Sequence, residues 1–326
     1  MNASYLYYQA SQGGMDLGIP VLATITDGYC NSGTYTWNPF NESVLVQDYS
    51  YKSGFQVGLG YICPNDNWVL YAEYSWIHGT THTSETAPNA DNSSFNGNSI
   101  PQTGLWYTSI WLYDYDNDFL ANKISSKWNY KIDLVDAQVS RPLYSGKRLT
   151  FEPSFGLRGA FIRQNLDIDF DLTGASLEDH ILSDSDAHYS SHSNGVGPRV
   201  RINGNWYLGY GVRFIGDAAA SLLFTGYSVS MNVESTYLNY PTPVIYHIKD
   251  FNTLRPNIDL SLGLGWDAYF CNQRLHWNIQ ALYDVSIFFE QNMMRYLADT
   301  VNGYSSGGAV SNLYLEGLVV KTGFNF

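Results

Sequence analysis

The chain has 326 residues, of which 16% are aromatic, 14% are charged and 29 are glycine, and its net charge is −13. A water-soluble domain carries about 25% charged residues, whereas many aromatic residues and few charges are typical of a membrane barrel. The acidic balance argues against a nucleic-acid partner, because binding phosphates needs clustered Lys and Arg. No segment approaches the run of about 18 apolar residues that a spanning helix needs, so a membrane crossing would require strands.

Ten segments alternate apolar and polar side chains with a period of two, which predicts strands with one apolar face. The last segment is the clearest, because Leu318 and Phe324 alternate with Lys321 and Gly323 before the chain ends on Phe326. The predicted strands lie near residues 3–12, 53–63, 67–78, 127–142, 149–161, 195–203, 206–214, 258–267, 275–285 and 317–326.

Three local features modify these predicted strands. In the fourth segment the apolar side chains, such as Ile132, first fall at even-numbered positions and the polar ones, such as Asp133, at odd-numbered positions. From Val135 onward the apolar side chains fall at odd-numbered positions, which predicts a bulge. Pro153 in the fifth segment cannot donate to the ladder, so it marks a bulge or a strand end. Residues 203–205 read Asn-Gly-Asn, a strong hairpin signal between the sixth and seventh strands.

Short and long connections alternate between the predicted strands. Tight turns are predicted at 64–66, 144–147, 203–205 and 271–273, and long segments at 13–52, 79–126, 164–193, 227–254 and 290–311. An up-and-down outer-membrane barrel has short periplasmic turns and long extracellular loops in this order. The expected fold class is therefore all-β, a transmembrane antiparallel β-barrel of about ten strands that forms one domain over 1–326 in a bacterial outer membrane. Apolar runs at 44–46 and 105–113 leave twelve strands as the alternative, because long unstructured connections are uncommon.

Charged side chains fall on the parity that is predicted to face the lumen. The predicted pore-lining residues are Arg158, Arg199, Arg201, Arg213, Glu73, Asp133, Asp259, Asp267, Asp284 and Lys321. The arginines come from three consecutive strands and the last three aspartates from the next two, so a basic wall adjoins an acidic one. In a water-filled lumen such walls order permeating ions. Alternatively, the charges pair and fill the interior, as side chains do in barrels of about eight strands.

Catalytic and metal-binding motifs are weak. His188 and His192 accompany Asp184 and Asp186 in a Ser- and Asp-rich segment, where a solvated loop is the better interpretation because short motifs match by chance. The sequence contains neither a Gly-x-Ser-x-Gly elbow nor a Walker loop. We therefore expect no enzyme, no metal site and no cofactor, with an outer-membrane hydrolase as a third hypothesis.

The sequences DLVDAQVSRP at 133–142 and KRLTFEPSFGLRGA at 147–160 resemble the pore-forming major outer-membrane protein family of Legionella and environmental chlamydiae. The likeness extends over the strands to residue 326 and is weaker in the long loops. The resemblance implies a porin in outer-membrane lipid, through which small hydrophilic solutes and ions diffuse passively, and it allows homo-oligomers or disulfide-linked envelope partners. The competing hypothesis is a structural or adhesive surface barrel with a closed lumen and partner-binding loops.

Three cysteines, Cys30, Cys63 and Cys271, leave at least one thiol unpaired within a monomer. The resemblance implies cross-linking between molecules in chlamydia-type envelopes. Cys63 and Cys271 lie beside predicted periplasmic turns and fit an intermolecular disulfide better than Cys30, which lies in a predicted outer loop. Passive thiols are the alternative interpretation.

Overall fold

A computed structural model describes most of the chain. The described residues are 1–25, 38–39, 43–64, 66–87, 102–109, 111, 121–145, 148–171, 176–177, 180–181, 185–237, 240–270, 275–301 and 310–325. No helix within these ranges combines the length and the apolar character that a membrane-spanning helix needs.

Ten of the described strands close into a barrel. Each strand pairs antiparallel with its neighbours in the chain, and the first pairs with the last, so the ring has no open edge. The strands are β1 Asn2–Gln12, β2 Tyr51–Ile62, β3 Val69–Thr86, β4 Lys123–Ser140, β5 Leu149–Asp171, β6 Ser185–Gly209, β7 Val212–Tyr237, β8 Tyr240–Phe270, β9 Leu275–Asn292 and β10 Ser311–Asn325. The predicted all-β barrel of about ten strands is confirmed.

Several short strands accompany the barrel strands. They are Asp16–Ile25, Asn38–Pro39, Leu45–Val46, Gln102–Thr108, Leu143–Ser145, Ser176–Leu177 and His180–Ile181. Both Leu45–Val46 and Gln102–Thr108 pair with Asp16–Ile25. The described parts of the apolar runs that suggested twelve strands, 45–46 and 105–108, therefore fold as strands that are not members of the ring.

The two faces of the barrel strands differ as the alternation predicts. On β5, Phe155 is 60% exposed, whereas Arg158 is only 4% exposed. On β10, Leu318 lies on the exposed face and Lys321 points into the lumen, where it contacts charged groups of another strand. Exposed apolar side chains on the outer face are the lipid-facing band of a membrane barrel. Phe326 lies outside the described residues.

The predicted hairpin at 203–205 is wrong. β6 continues through these residues, and the chain reverses at Tyr210 and Gly211, which have φ values of 54° and 80°. Two successive positive φ values match the tight turn that joins twisted strands. Ile202 and Trp206 are both exposed on the outer face, so the alternation passes through 203–205 unbroken. Residues 203–205 pair with strands on both sides, and this pairing overrides their local turn propensity.

Three other expectations are corrected. β4 keeps one register with both of its neighbours, so the bulge predicted from Val135 is wrong. Pro153 lies within β5 and stays in regular register with β6, so the expectation of a bulge or a strand end is wrong; only the pairing between β5 and β4 ends beside it, at Ser154. β7 and β8 pair as far as Tyr237 and Tyr240, so the long loop predicted at 227–254 is instead a strand hairpin.

The barrel has a turn end and a loop end. Connections 63–68 and 210–211 lie at the turn end, and connections 13–50 and 87–122 lie at the loop end. In outer-membrane barrels the short turns are periplasmic and the longer loops are extracellular. The helix α1, Met293–Val301, follows β9 at the loop end and packs against β6, β7 and β9.

Candidate functional site

The lumen widens toward the turn end into a polar cavity of about 770 Å³. Its wall includes Gln138 from β4, Glu152 from β5, Arg201 and Asn203 from β6, and Lys321 from β10. The alternation of a strand places these side chains on one face. A water molecule takes about 30 Å³ in the liquid, so the cavity has room for water and for small hydrophilic solutes.

Four charged side chains cross the lumen beyond this cavity, and we call them the charged belt. They are Asp136 on β4, Arg158 on β5, Arg199 on β6 and Asp259 on β8. Arg158 donates to Asp136 from Nε and Nη2 at 2.7 and 2.6 Å, and to Asp259 from Nη1 at 2.7 Å. Arg199 Nη1 lies 2.5 Å from Asp259. Because β5 and β8 are not neighbours in the ring, the bond between Arg158 and Asp259 spans the lumen.

Neutral side chains add hydrogen bonds to the belt. Arg158 Nη1 also donates to Asn257 Oδ1 at 2.6 Å, and Ser286 donates to Asp259. The side chain of Asp259 is 17% exposed, and that of Arg158 is 5% exposed. Charges removed from water stay ionised only when they are paired and hydrogen-bonded. Each belt charge is paired, with two positive and two negative groups, so the net charge is zero, and among the described residues only the buried Nε of Arg199 lacks a hydrogen-bond partner within the belt.

A second set of paired charges lies beside the belt. Lys321 on β10 is 3.3 Å from Glu73 on β3, and Glu73 also accepts from Gln56 at 2.9 Å. Arg201 on β6 pairs with Asp217 on β7 at 2.7 Å. The pair between β10 and β3 again joins strands that are not neighbours.

The remaining inward acids also have partners. Tyr8 Oη donates to Asp284 at 2.9 Å. Near the turn end, Asp267 pairs with Arg213 and lies 3.0 Å from His276 Nε2. The predicted basic and acidic walls are therefore both present, and ion pairs join them.

Apolar side chains fill the lumen at the loop end. We call this set the loop-end plug, and it consists of Met15, Leu17, Trp111, Met294 and Leu297, all at most 2% exposed. Tyr189 on β6 donates to the backbone oxygen of Trp111 at 2.6 Å. Tyr49, whose ring lies 5.8 Å from that of Trp128, donates to the backbone oxygen of Gln12 at 2.6 Å. Burial raises the pKa of Tyr49 to about 12, so this hydroxyl stays protonated at neutral pH.

Every predicted lining residue faces the lumen except Asp133. Asp133 lies on the outer face of β4, where Tyr74 Oη donates to it at 2.6 Å and His78 Nε2 lies 3.3 Å away. The parity prediction fails because the lumen-facing side of β4 is apolar where it meets the plug. Asp136 and Asp217 point inward and were missed. Asp136 shares its face of β4 with Ile132 and Leu134, an apolar run that by parity alone predicts a lipid-facing side.

Two other predicted groups are only partly described. Cys63 follows β2 at the turn end as a free thiol, whereas Cys30 and Cys271 lie outside the described residues. Within the part of the chain that the structure describes, no group of three or more His, Cys, Asp or Glu side chains is placed to hold a metal ion.

A family model described as Legionella pneumophila major outer membrane protein precursor matches residues 3–326. The chain belongs to this family. Membership agrees with the resemblance seen in the sequence and places the barrel in the bacterial outer membrane, with lipid around its apolar outer face. Among curated proteins, none matches the chain.

Several solved structures align with this family member over most of its length. A FadL homologue from Pseudomonas aeruginosa is 10% identical, with 99% of this chain and 89% of that chain covered and a TM-score of 0.22. The toluene transporter TodX from Pseudomonas putida is 8% identical, with 98% and 88% covered and a TM-score of 0.19. The toluene transporter TbuX from Ralstonia pickettii is 8% identical, with 98% and 88% covered and a TM-score of 0.18. At these TM-scores the likenesses carry no argument about this chain.

Proposed function

We propose that this protein is a narrow outer-membrane pore through which ions and small hydrophilic solutes diffuse passively. The observation that carries the proposal is that the polar cavity of about 770 Å³ leads to a belt of unlike charges rather than to an apolar core. Rings and linings of charged side chains select ions in other pores. The charged belt is the constriction in this proposal.

The belt makes the pore selective and slow. Arg158 and Arg199 approach from β5 and β6, and Asp259 approaches from β8, so a passing solute meets positive and negative groups on different walls. A passing ion must replace a belt partner, because each of these charges is already paired. Conductance is therefore expected to be small, and to rise when a belt pair is removed.

The loop-end plug adds a separate opening step. Trp111, Met294 and Leu297 occupy the lumen between the belt and the extracellular side. Continuous passage requires these side chains to move aside, whereas the turn-end cavity needs no such motion. Gating at one end and selection at the belt are therefore distinct properties of the proposed pore.

The cross-lumen ion pairs favour a second candidate, a structural or adhesive surface barrel whose lumen stays closed. Buried ion pairs are weak evidence for stability, so their presence alone does not decide between the two functions. Deletion of an extracellular loop would abolish surface binding without changing solute permeability in the second candidate.

Planar-bilayer recording across a salt gradient tests the pore. The wild-type protein should give discrete conductance steps, and Arg158→Gln should raise the unit conductance, because this variant removes the bonds to Asp136 and Asp259. The matched control is Arg141→Gln, since Arg141 lies over the ring of Trp68 at the turn end and makes no belt bond. Absence of conductance from folded wild-type protein would rule out the pore and leave the closed barrel.

A further inference from the structure

Basic side chains form a row across the outer face of four neighbouring strands. The strand registers place His78 on β3 opposite Lys131 on β4, Lys131 opposite Arg163 on β5, and Arg163 opposite His192 on β6. We call these four residues the basic row. Side chains at directly opposed positions have Cβ atoms about 5 Å apart, so Lys131 and Arg163 form an adjacent pair of positive charges with a histidine on either side.

The row lies where the lipid-facing band ends. Phe161 precedes Arg163 on the same face of β5 and is 43% exposed, whereas the next outward positions toward the loop end are Asn165 and Asp167. The loop end of an outer-membrane barrel faces the outer leaflet. The basic row is therefore at the level of the lipid headgroups of that leaflet.

The protein does not neutralise the centre of the row. Among the described residues, neither Lys131 nor Arg163 has an ion-pair or hydrogen-bond partner, and both are exposed. Asp133 lies one pleat nearer the turn end, but it is bonded to Tyr74 and lies beside His78. Like charges directly opposite one another on a sheet are destabilising, so an external anion would lower the energy of this arrangement.

The row is confined to one side of the barrel. On β9, β10, β1 and β2, the outward positions within the described residues hold no Lys, Arg or His, and they include Glu316. The outward positions of β4 and β5 also hold acids, but Asp133 lies one pleat nearer the turn end, and Asp167 and Asp169 lie two and three pleats nearer the loop end. The positive charge is therefore local to Lys131 and Arg163.

We propose that the basic row binds the phosphate group of an anionic lipid in the outer leaflet. Arg163 offers the planar donor fork that suits phosphate oxygens, and Lys131 supplies a second charge beside it. Trp76 packs under His78, with ring centroids 4.3 Å apart, and extends the aromatic surface toward the acyl chains. Charge, position and the adjoining apolar band thus favour a lipid headgroup as the occupant.

Tryptophan quenching in vesicles tests the site. The folded protein is placed in two sets of phosphatidylcholine vesicles. One set contains phosphatidic acid with brominated acyl chains, and the other contains phosphatidylcholine with brominated acyl chains at the same mole fraction. Wild-type protein should show an apparent association constant for brominated phosphatidic acid about tenfold above that for brominated phosphatidylcholine. The double variant Lys131→Gln/Arg163→Gln should lose this preference. Lys127→Gln, an exposed lysine of β4 opposite Asp167, should retain it.

The outcomes separate specific from general attraction. All three proteins must show the heat-dependent gel shift of a folded barrel, and each single variant serves if the double variant does not fold. Equal quenching of the wild-type protein by both brominated lipids would overturn the proposal. So would a loss of the preference for phosphatidic acid in Lys127→Gln as large as the loss in the double variant. Suppression of the preference by millimolar inorganic phosphate would show a site for the free ion and would also overturn the lipid assignment.

Discussion

Replacement of Asp259 by Asn removes one charge from the centre of the belt with little change in shape. Among the described residues, Asp259 is the carboxylate that pairs with Arg199, whereas Arg158 keeps its two bonds to Asp136. Loss of one partner from a buried pair costs about 3–5 kcal/mol. The side chain of Asp259 is 17% exposed, so partial hydration of the lumen should reduce the loss to about 2–3 kcal/mol.

The same substitution changes the charge of the constriction from zero to +1. At about 7 Å in a water-like dielectric, one elementary charge changes the energy of a passing ion by about 0.6 kcal/mol, with opposite signs for anions and cations. The anion-to-cation permeability ratio therefore changes by about 1.2 kcal/mol, and Asp259→Asn should shift selectivity about sevenfold toward anions. Arg199→Gln should shift it toward cations, and the double variant should restore the wild-type ratio.

Two measurements check this reasoning. Urea unfolding of the barrel in vesicles, followed by tryptophan fluorescence, gives the free energies of unfolding by linear extrapolation. The reversal potential in a salt gradient gives the permeability ratios. The double variant should recover most of the stability that each single variant loses, because the two residues interact directly. Strictly additive losses, or single variants within about 0.5 kcal/mol of wild type, would refute the charged belt as a coupled unit.

Three further predictions concern the turns, the plug and the thiol. Gly211→Ala should lower the free energy of unfolding by about 1–2 kcal/mol, because φ is +80° and the added Cβ would lie 2.4 Å from a backbone oxygen. The control Gly204→Ala should be tolerated, because its added Cβ would have no atom nearer than 3.5 Å. Urea titration of the two variants compares them directly, and equal losses would contradict the turn position. The double variant Met294→Ala/Leu297→Ala should increase channel open time in bilayers by loosening the plug, and unchanged gating would argue against that role. Cys63→Ser should abolish a disulfide-linked dimer on non-reducing gels of oxidised envelopes; a dimer that persists would exclude Cys63.

The sequence predicts the parts of the fold that depend on local alternation. The strand near the C-terminus illustrates this, since Leu318 and Lys321 alternate by parity alone and the structure places them on the outer and inner faces. Strand number and most lumen-facing charges follow in the same way, whereas the long connection predicted at 227–254 is a strand hairpin. Family membership was also recognisable from contiguous residues at 133–142 and 147–160.

Tertiary structure decides which face of an alternating strand looks inward. A period of two separates two faces but does not say whether the apolar face meets lipid or meets apolar side chains within the barrel. On β4, Trp128 and Ile132 face inward toward the plug, so Asp133 is displaced to the outside and Asp136 joins the belt. No local pattern reports this, because the plug comes from residues distant in the chain.

Local chemistry alone predicted that the lumen would be charged, with arginines on β5 and β6 and aspartates on β8 and β9. Closure of the ring brought Arg158 within 2.7 Å of Asp259, although the two residues are 101 positions apart in the chain. It also brought Lys321 within 3.3 Å of Glu73, 248 positions away. Alternation sets the direction of each side chain. The distance between charged side chains on opposite sides of the lumen depends on the strand count, the strand register and the side chains that fill the lumen. For this reason the sequence could determine that the barrel has a charged interior, while only the tertiary structure decided that those charges meet across it.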